Sequence, residues 1–180
     1  DASARPPLAP TVQWEHVRCP SADEMAERLR GCTDTVLRPE SEVVPPTIRL
    51  HAGVMEDVPE ATGFVNFANA HFGYGRFIPS CTQEEILQVC CPEFNVGLLF
   101  IGCMRDDEVV VVRRCRRFAQ YTGYGDSFTC TGAAVRDTMC DILTLDACTA
   151  RHYSRDAVLR DVAKAYTAFA VHREELEGAD

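Results

Sequence analysis

The sequence predicts one three-layer α/β domain with a largely central sheet. Strand-like runs alternate with helical segments along the chain, the order that lays helices against both faces of a sheet. The runs "DEVVVVRRC" and "CDILTLDAC" are strongly apolar or β-branched, as buried strands are. A length of 180 residues suits one domain with one sizeable core.

Residues 1–10 are rich in Pro and Ala and read as an extended arm. The domain proper is expected over 11–180. "TVQWEHVRC" alternates like a strand. "SADEMAERLRGC" reads as a short helix, with Ser21 and Glu24 at capping-box spacing and Gly31 as its stop. The prolines of "LRPESEVVPP" mark a loop. "TIRLHA" and "GFVNFA" read as strands flanking the acidic turn "MEDVPEAT". "TQEEILQVC" reads as helix up to Pro92, and "EFNVGLLFIGC" as either helix or buried strand. "QYTGYGDSFTCTGA" is polar enough for a loop. "SRDAVLRDVAKAYTAFAVHREEL" is the longest helix, with Ser154 as N-cap and an apolar face of Val158, Val162, Ala165 and Phe169.

Composition narrows the function classes. The net charge of -9 argues against a broad nucleic-acid surface, so no direct DNA binding is expected. A small anion held by backbone N–H groups remains compatible with that charge. No apolar run is long enough to span a membrane, and no membrane partner is expected. The ten cysteines are scattered through apolar runs without a C-x-x-C pair. They read as buried free thiols of an intracellular, reducing compartment. No metal site and no cofactor are expected. The chain begins at Asp1 without an initiating Met, so removal of a targeting peptide and an organellar location stand as the alternative.

The stretch "GYGRFIPSCTQEE" joins two glycines, Gly73 and Gly75, to a helix that opens with Glu84 and Glu85. Glycine backbone can approach a ligand closely, and N–H groups ahead of a helix favour phosphate. Glycosidic chemistry uses a carboxyl group as acid or base. Adjacent glutamates point about 100° apart on a helix, so Glu84 and Glu85 take different jobs. A plain account also fits: Thr82 and Glu85 match a capping box, with the acids in a favourable first turn.

The wider segment "FVNFANAHFGYGRFIPSCTQEEILQVCCPEFNVGLLF" resembles the signature region of poly(ADP-ribose) glycohydrolases: a glycine loop, a short spacer, then Gln83-Glu84-Glu85. "NFAN" is similar to the family's D-F-A-N, "YTGYGDSF" to its Y-T-G-Y segment, "ILTLDA" to its later I-x-x-x-D-A strand and "LRDVAKAYTAF" to the helix after it. "RLHAGVMED" resembles the stretch ending in an adenine-contacting glutamate. The resemblance is strongest over 48–170.

It implies a macrodomain-like fold with a mixed sheet, and hydrolysis of the ribose–ribose O-glycosidic bond of poly(ADP-ribose) in the nucleus or cytoplasm. Glu85 would be the acid/base and Glu84 would position ribose hydroxyls. Gln83 and Asn69 would serve the same ribose region. Gly73, Tyr74 and Gly75 would line the diphosphate, Glu56 would bond adenine, and Tyr124 would cover the ligand. Phe67 is placed with this ligand-facing set, its plain alternative being core.

Three features depart from the family pattern. Tyr74 replaces the middle glycine, Asn66 replaces the aspartate of D-F-A-N, and no second glycine-rich phosphate loop follows the last helix. The last implies a fold incomplete on its C-terminal side, with an edge for a protein partner to cover. The alternative function is therefore a degenerate structural subunit, or a binder of ADP-ribose without turnover.

Overall fold

The strands Glu108–Arg116 and Met139–Asp146 carry apolar side chains on both faces, so helices must cover the sheet twice. The computed structural model describes residues 11–36, 47–72, 80–134 and 139–178. Its elements are β1 (Gln13–Arg18), α1 (Ala22–Val36), β2 (Gly63–Ala68), α2 (Gln83–Cys90), β3 (Glu108–Arg116), β4 (Ala119–Thr122), β5 (Thr129–Ala133), β6 (Met139–Asp146) and α3 (Arg155–Gly178). Four strands form one mixed sheet in the order β1-β3-β6-β2. β1 and β6 run antiparallel to β3, while β2 runs parallel to β6. A second, two-stranded sheet joins β4 to β5.

The register sorts the core into two halves. Val110, Val112 and Ile142 pack beneath Ile86 and Leu87 of α2 and beneath Phe94. Val109, Val111 and Leu143 face the other way, toward Met25 of α1 and Ala163 and Ala168 of α3. Val109 to Val112 are all fully buried, as a strand covered on both faces requires. The result is the predicted α/β sandwich of three layers.

Both capping signals near the ends of α1 and α3 act as read. Ser21 N donates to Glu24 and Glu24 N to Ser21 Oγ, and Ala157 N donates to Ser154 Oγ.

Several expectations are corrected. Gly31 does not stop α1, which runs on to Val36; Gly31 has open space around it, and one exposed helical glycine costs only about 1 kcal/mol. "TIRLHA" forms no strand. Ile48 is 85% and Leu50 100% exposed, so its alternation has no sheet face to bury. "EFNVGLLF" falls in a 3₁₀ run, Pro92–Leu99, neither α-helix nor strand, started by a proline that suits a first turn. "QYTGYGDSFTCTGA" is not simply a loop but the β4–β5 pair with a 3₁₀ turn, Gly125–Ser127. The face of α3 is turned in part: Val158 and Phe169 are exposed while Val162 packs against the core, and the buried residues are Ala157, Leu159, Ala163, Lys164, Thr167 and Ala168.

An ion network explains that rotation. Lys164 is fully buried and donates to Asp146 at 2.5 Å and to the Arg105 carbonyl at 2.8 Å. Arg160 reaches the same Asp146 at 2.6 Å. Small residues beside Lys164 let the helix approach the sheet closely enough for those bonds. Breaking one side of a buried ion pair costs about 3–5 kcal/mol, because the remaining charge has no partner. Asp146→Ala is therefore expected to lower unfolding free energy by an amount in that range, read by urea denaturation against the wild-type protein.

Candidate active site

The site is built where α2 meets the end of β2. Among the described residues β2 is an edge strand, so its outer backbone groups have no strand there to bond. Gln83, the first residue of α2, supplies the missing partners: its Nε2 donates to the Val65 carbonyl at 2.9 Å and its Oε1 accepts from Phe67 N at 2.8 Å. The side-chain amide sits on the edge as a neighbouring peptide would, and it fixes where α2 begins.

Glu84 and Glu85 then point in different directions, and both are only 2% exposed. Glu84 reaches the end of β2. It accepts from Asn69 N at 3.1 Å, Asn69 Nδ2 at 2.9 Å and Asn66 Nδ2 at 3.5 Å. Burial pushes the Glu84 carboxyl above its ordinary range; the Asn69 and Asn66 bonds act against that shift, and the nearby Glu85 charge adds to it. Glu85 turns back along the helix and closes the capping box with Thr82. Its Oε2 accepts from Thr82 N at 2.9 Å and from the Thr82 hydroxyl. Its other oxygen takes no hydrogen bond among the described residues.

The turn carrying Tyr124 lies against the start of α2. Gly125 N donates to the Cys81 carbonyl at 2.9 Å, and Tyr124 is exposed. That turn needs glycine at Gly123, whose φ is +77° and where a Cβ would meet the Ser127 carbonyl oxygen at 2.0 Å. Cys81 itself holds a φ of +39°, a strained backbone for a residue with a side chain. Strain of this kind collects at ligand sites.

Glu56 stands elsewhere. It lies in a short 3₁₀ turn and accepts from the Tyr121 hydroxyl at 3.4 Å. It helps line a cavity of 290 Å³ together with Val58, Ala61, Phe64, Arg117 and Met139. Phe64 and Met139 belong to the starts of β2 and β6, whereas Asn69 follows the end of β2. Phe64 and Asn69 are five residues apart along that strand, about 16 Å at ~3.3 Å per residue. Burial, then the Glu56 charge, raises the Tyr121 phenol well above its ordinary range, so Tyr121 stays a donor. Phe67 is 69% exposed and not core. Gly73, Tyr74 and Gly75 lie outside the described residues.

Structure therefore gathers Gln83, Glu84, Glu85 and Asn69 at one point, with the Tyr124 turn beside them and Glu56 in a separate cavity. The sequence reading missed Tyr121 and Arg117 as neighbours of Glu56. Tyr121 had a signal, since it opens the same "YTGY" segment. Arg117 had none, because it follows the strand run "DEVVVVRRC" and belongs to no motif.

The family described as poly(ADP-ribose) glycohydrolase (PARG), macro domain fold, matches residues 39–178. This chain belongs to that family. Poly(ADP-ribose) glycohydrolase 1 of Arabidopsis thaliana is 32% identical over 154 residues, which cover 79% of this chain and 28% of that protein. The probable poly(ADP-ribose) glycohydrolase 2 of the same plant is 32% identical over 135 residues, covering 68% of this chain and 26% of the relative. Poly(ADP-ribose) glycohydrolase 1 of Caenorhabditis elegans is 41% identical over 61 residues, 34% of this chain and 8% of that protein. The chain thus spans little more than a quarter of the plant glycohydrolases it matches. Its mixed sheet between helical layers is the macrodomain architecture of the glycohydrolase family, and the whole Gln83–Glu85 corner lies within the matched residues.

Two outcomes test this geometry. Thr82→Ala removes the N-cap oxygen and is expected to cost about 1 kcal/mol of stability, measured by thermal unfolding. For Glu84 the sign follows from its raised folded value: the folded state holds a proton that the unfolded chain has released. Stability must then fall as pH rises from the ordinary glutamate range up to the raised folded value. Glu84→Gln should abolish that fall in a series of melts between pH 4 and pH 7.

Proposed function

We propose that this chain hydrolyses the ribose–ribose O-glycosidic bond of poly(ADP-ribose). The observation that carries the reading is the corner at the start of α2: two buried glutamates, one tied to Asn69 and one with a carboxylate oxygen free of hydrogen bonds among the described residues. Glu85 is the acid/base. It caps its helix through Oε2 and uses the other oxygen to protonate the leaving ribose oxygen and then to activate water. Glu84, held by Asn69 and Asn66, accepts hydrogen bonds from ribose hydroxyls. Gln83 positions both acids by fixing the first turn of α2 on the β2 edge. Tyr124, exposed on the turn bonded to Cys81, covers the ligand, and Gly73, Tyr74 and Gly75 line its diphosphate. Glu56, in its cavity with Tyr121, bonds the adenine amine.

A second reading, a structural member of a larger assembly, draws support from one specific feature. Phe67 on the β2 edge is exposed, and a large exposed apolar side chain on a sheet edge suits a covering protein partner.

Release of ADP-ribose from poly(ADP-ribose) separates the two. Wild-type protein should release it, and Glu85→Gln should release it more slowly by about 10²–10⁴-fold, the usual worth of a positioned acid/base. The fold should survive, because Gln also serves in a capping box. No release by folded wild-type protein would sink the enzymatic reading and favour the structural one.

A further inference from the structure

We infer that Cys140 and Cys91 form an oxidation site on the wall of the Glu56 cavity: a peroxide oxidises the Cys140 thiol, and Cys91 resolves it to a disulfide. The inference goes beyond the proposed function and rests on it only for the ligand that would shield Cys140.

Cys90, Cys91, Cys115 and Cys140 are all buried in the half of the core that packs beneath α2. Free thiols are ordinary core fillers, and that accounts for Cys90 and Cys115. Two observations set Cys140 apart. The first is access. Cys140 lines the cavity that holds Glu56, and among the described residues no other thiol does. It keeps 6% exposure, whereas Cys115 is fully covered. An oxidant as small as hydrogen peroxide therefore meets the Cys140 sulfur from the cavity.

The second is a sulfur neighbour. Cys140 faces Cys115 across the β3–β6 pairing, and its S–H donates to the Cys115 carbonyl at 3.7 Å. Its proton is thus directed at a backbone oxygen, and its sulfur is left to accept. The Cys91 thiol is its hydrogen-bond partner. That bond, then burial, holds the Cys91 thiol well above the ordinary thiol range, so Cys91 keeps its proton and is the donor. Cys115 meets Cys140 through a carbonyl and Cys91 meets it through a thiol. Cys91 is accordingly the resolving group. It is the C-cap of α2 and Cys140 is the second residue of β6, so the new bond ties the end of that helix to the start of that strand.

In the first step the Cys140 sulfur attacks one peroxide oxygen and the O–O bond breaks. The Cys140 proton passes to the departing hydroxide as water, and Cys140 is left as a sulfenic acid. In the second step the Cys91 sulfur attacks the Cys140 sulfur. The S–O bond breaks, and the oxygen leaves with the Cys91 proton as a second water. Two thiols lose two electrons and two protons, and one peroxide takes them up. The sulfurs close from hydrogen-bond range to about 2.05 Å. A dithiol reverses the bond by exchange and is itself oxidised to a cyclic disulfide.

The test treats the folded chain with hydrogen peroxide and maps its thiols by mass spectrometry, with dimedone in a parallel sample to trap sulfenic acid. Wild type should give a Cys91–Cys140 linked peptide pair that dithiothreitol separates, and Cys90→Ala should still give it. Cys91→Ala should lose the link and make dimedone-labelled Cys140 the main product. Modification confined to the exposed Cys103 and Cys130 would overturn the inference, as would a link from Cys140 to Cys90 or Cys115 in its place. If Cys91→Ala does not fold, wild type decides alone: the linked pair supports the site and its absence refutes it. ADP-ribose at ten times its dissociation constant should slow loss of the Cys140 thiol by about tenfold, because only the free protein reacts. A link that forms at the same rate with ADP-ribose present would fail the reading of this cavity as the adenine site and leave the oxidation site standing.

Discussion

Everything at the candidate site depends on one side chain bonding one sheet edge. Gln83 gives Val65 and Phe67 of β2 the hydrogen bonds that an adjacent strand would give. Because the helix advances about 100° per residue, fixing Gln83 on the edge sends Glu84 toward Asn69 and Glu85 back toward Thr82. Three consecutive residues thereby acquire three unrelated environments. Loss of the Gln83 bracket would free the first turn of α2 and displace both acids together, although neither acid touches it.

The protein treats its buried acids in two ways. Asp146 is answered by cations, with Lys164 at 2.5 Å and Arg160 at 2.6 Å, and its hydrogen-bonding capacity is spent inside the fold. Glu84 is answered by amides alone. Amide donors stabilise a carboxylate without cancelling its charge, so it remains attractive to a further donor. The first arrangement locks α3 to the sheet. The second holds a carboxylate by amides without an opposing charge, the arrangement that the proposed recognition of ribose hydroxyls needs.

Local chemistry was legible in the sequence where it depends on near neighbours. The capping pairs Ser21–Glu24 and Thr82–Glu85 act within four residues, and each forms as read. "DEVVVVRRC" identified the central strand, because only burial on both faces rewards four valines in a row. What depended on distant partners was not legible. Lys164 looks like a solvated residue in "LRDVAKAYTAF", yet Asp146 and the Arg105 carbonyl draw it inside and turn α3 away from the face its apolar residues suggested. "TIRLHA" alternates correctly but has no strand beside it. Asn66 looked like an aspartate that had lost an anchoring charge; in the fold it is fully buried and its amide donates to Glu84. Within the site, the motif pointed to Gln83, Glu84 and Glu85, while the Tyr121–Glu56 contact required two segments about 65 residues apart to meet.

The capping and catalytic accounts of Glu85 looked like competitors because both ask for the same residue at the same place. The geometry removes that competition. A carboxylate has two oxygens, and the Thr82 N–H and hydroxyl both use Oε2. Capping therefore holds the side chain in one rotamer while, among the described residues, nothing bonds its second oxygen, and the proposed acid/base would need that kind of immobility near a reacting atom. Substitution by glutamine preserves the restraint and removes only the exchangeable proton. A stability measurement is consequently blind to the role that a turnover measurement isolates, and the fixed carboxylate is better understood as a consequence of the cap than as an alternative to it.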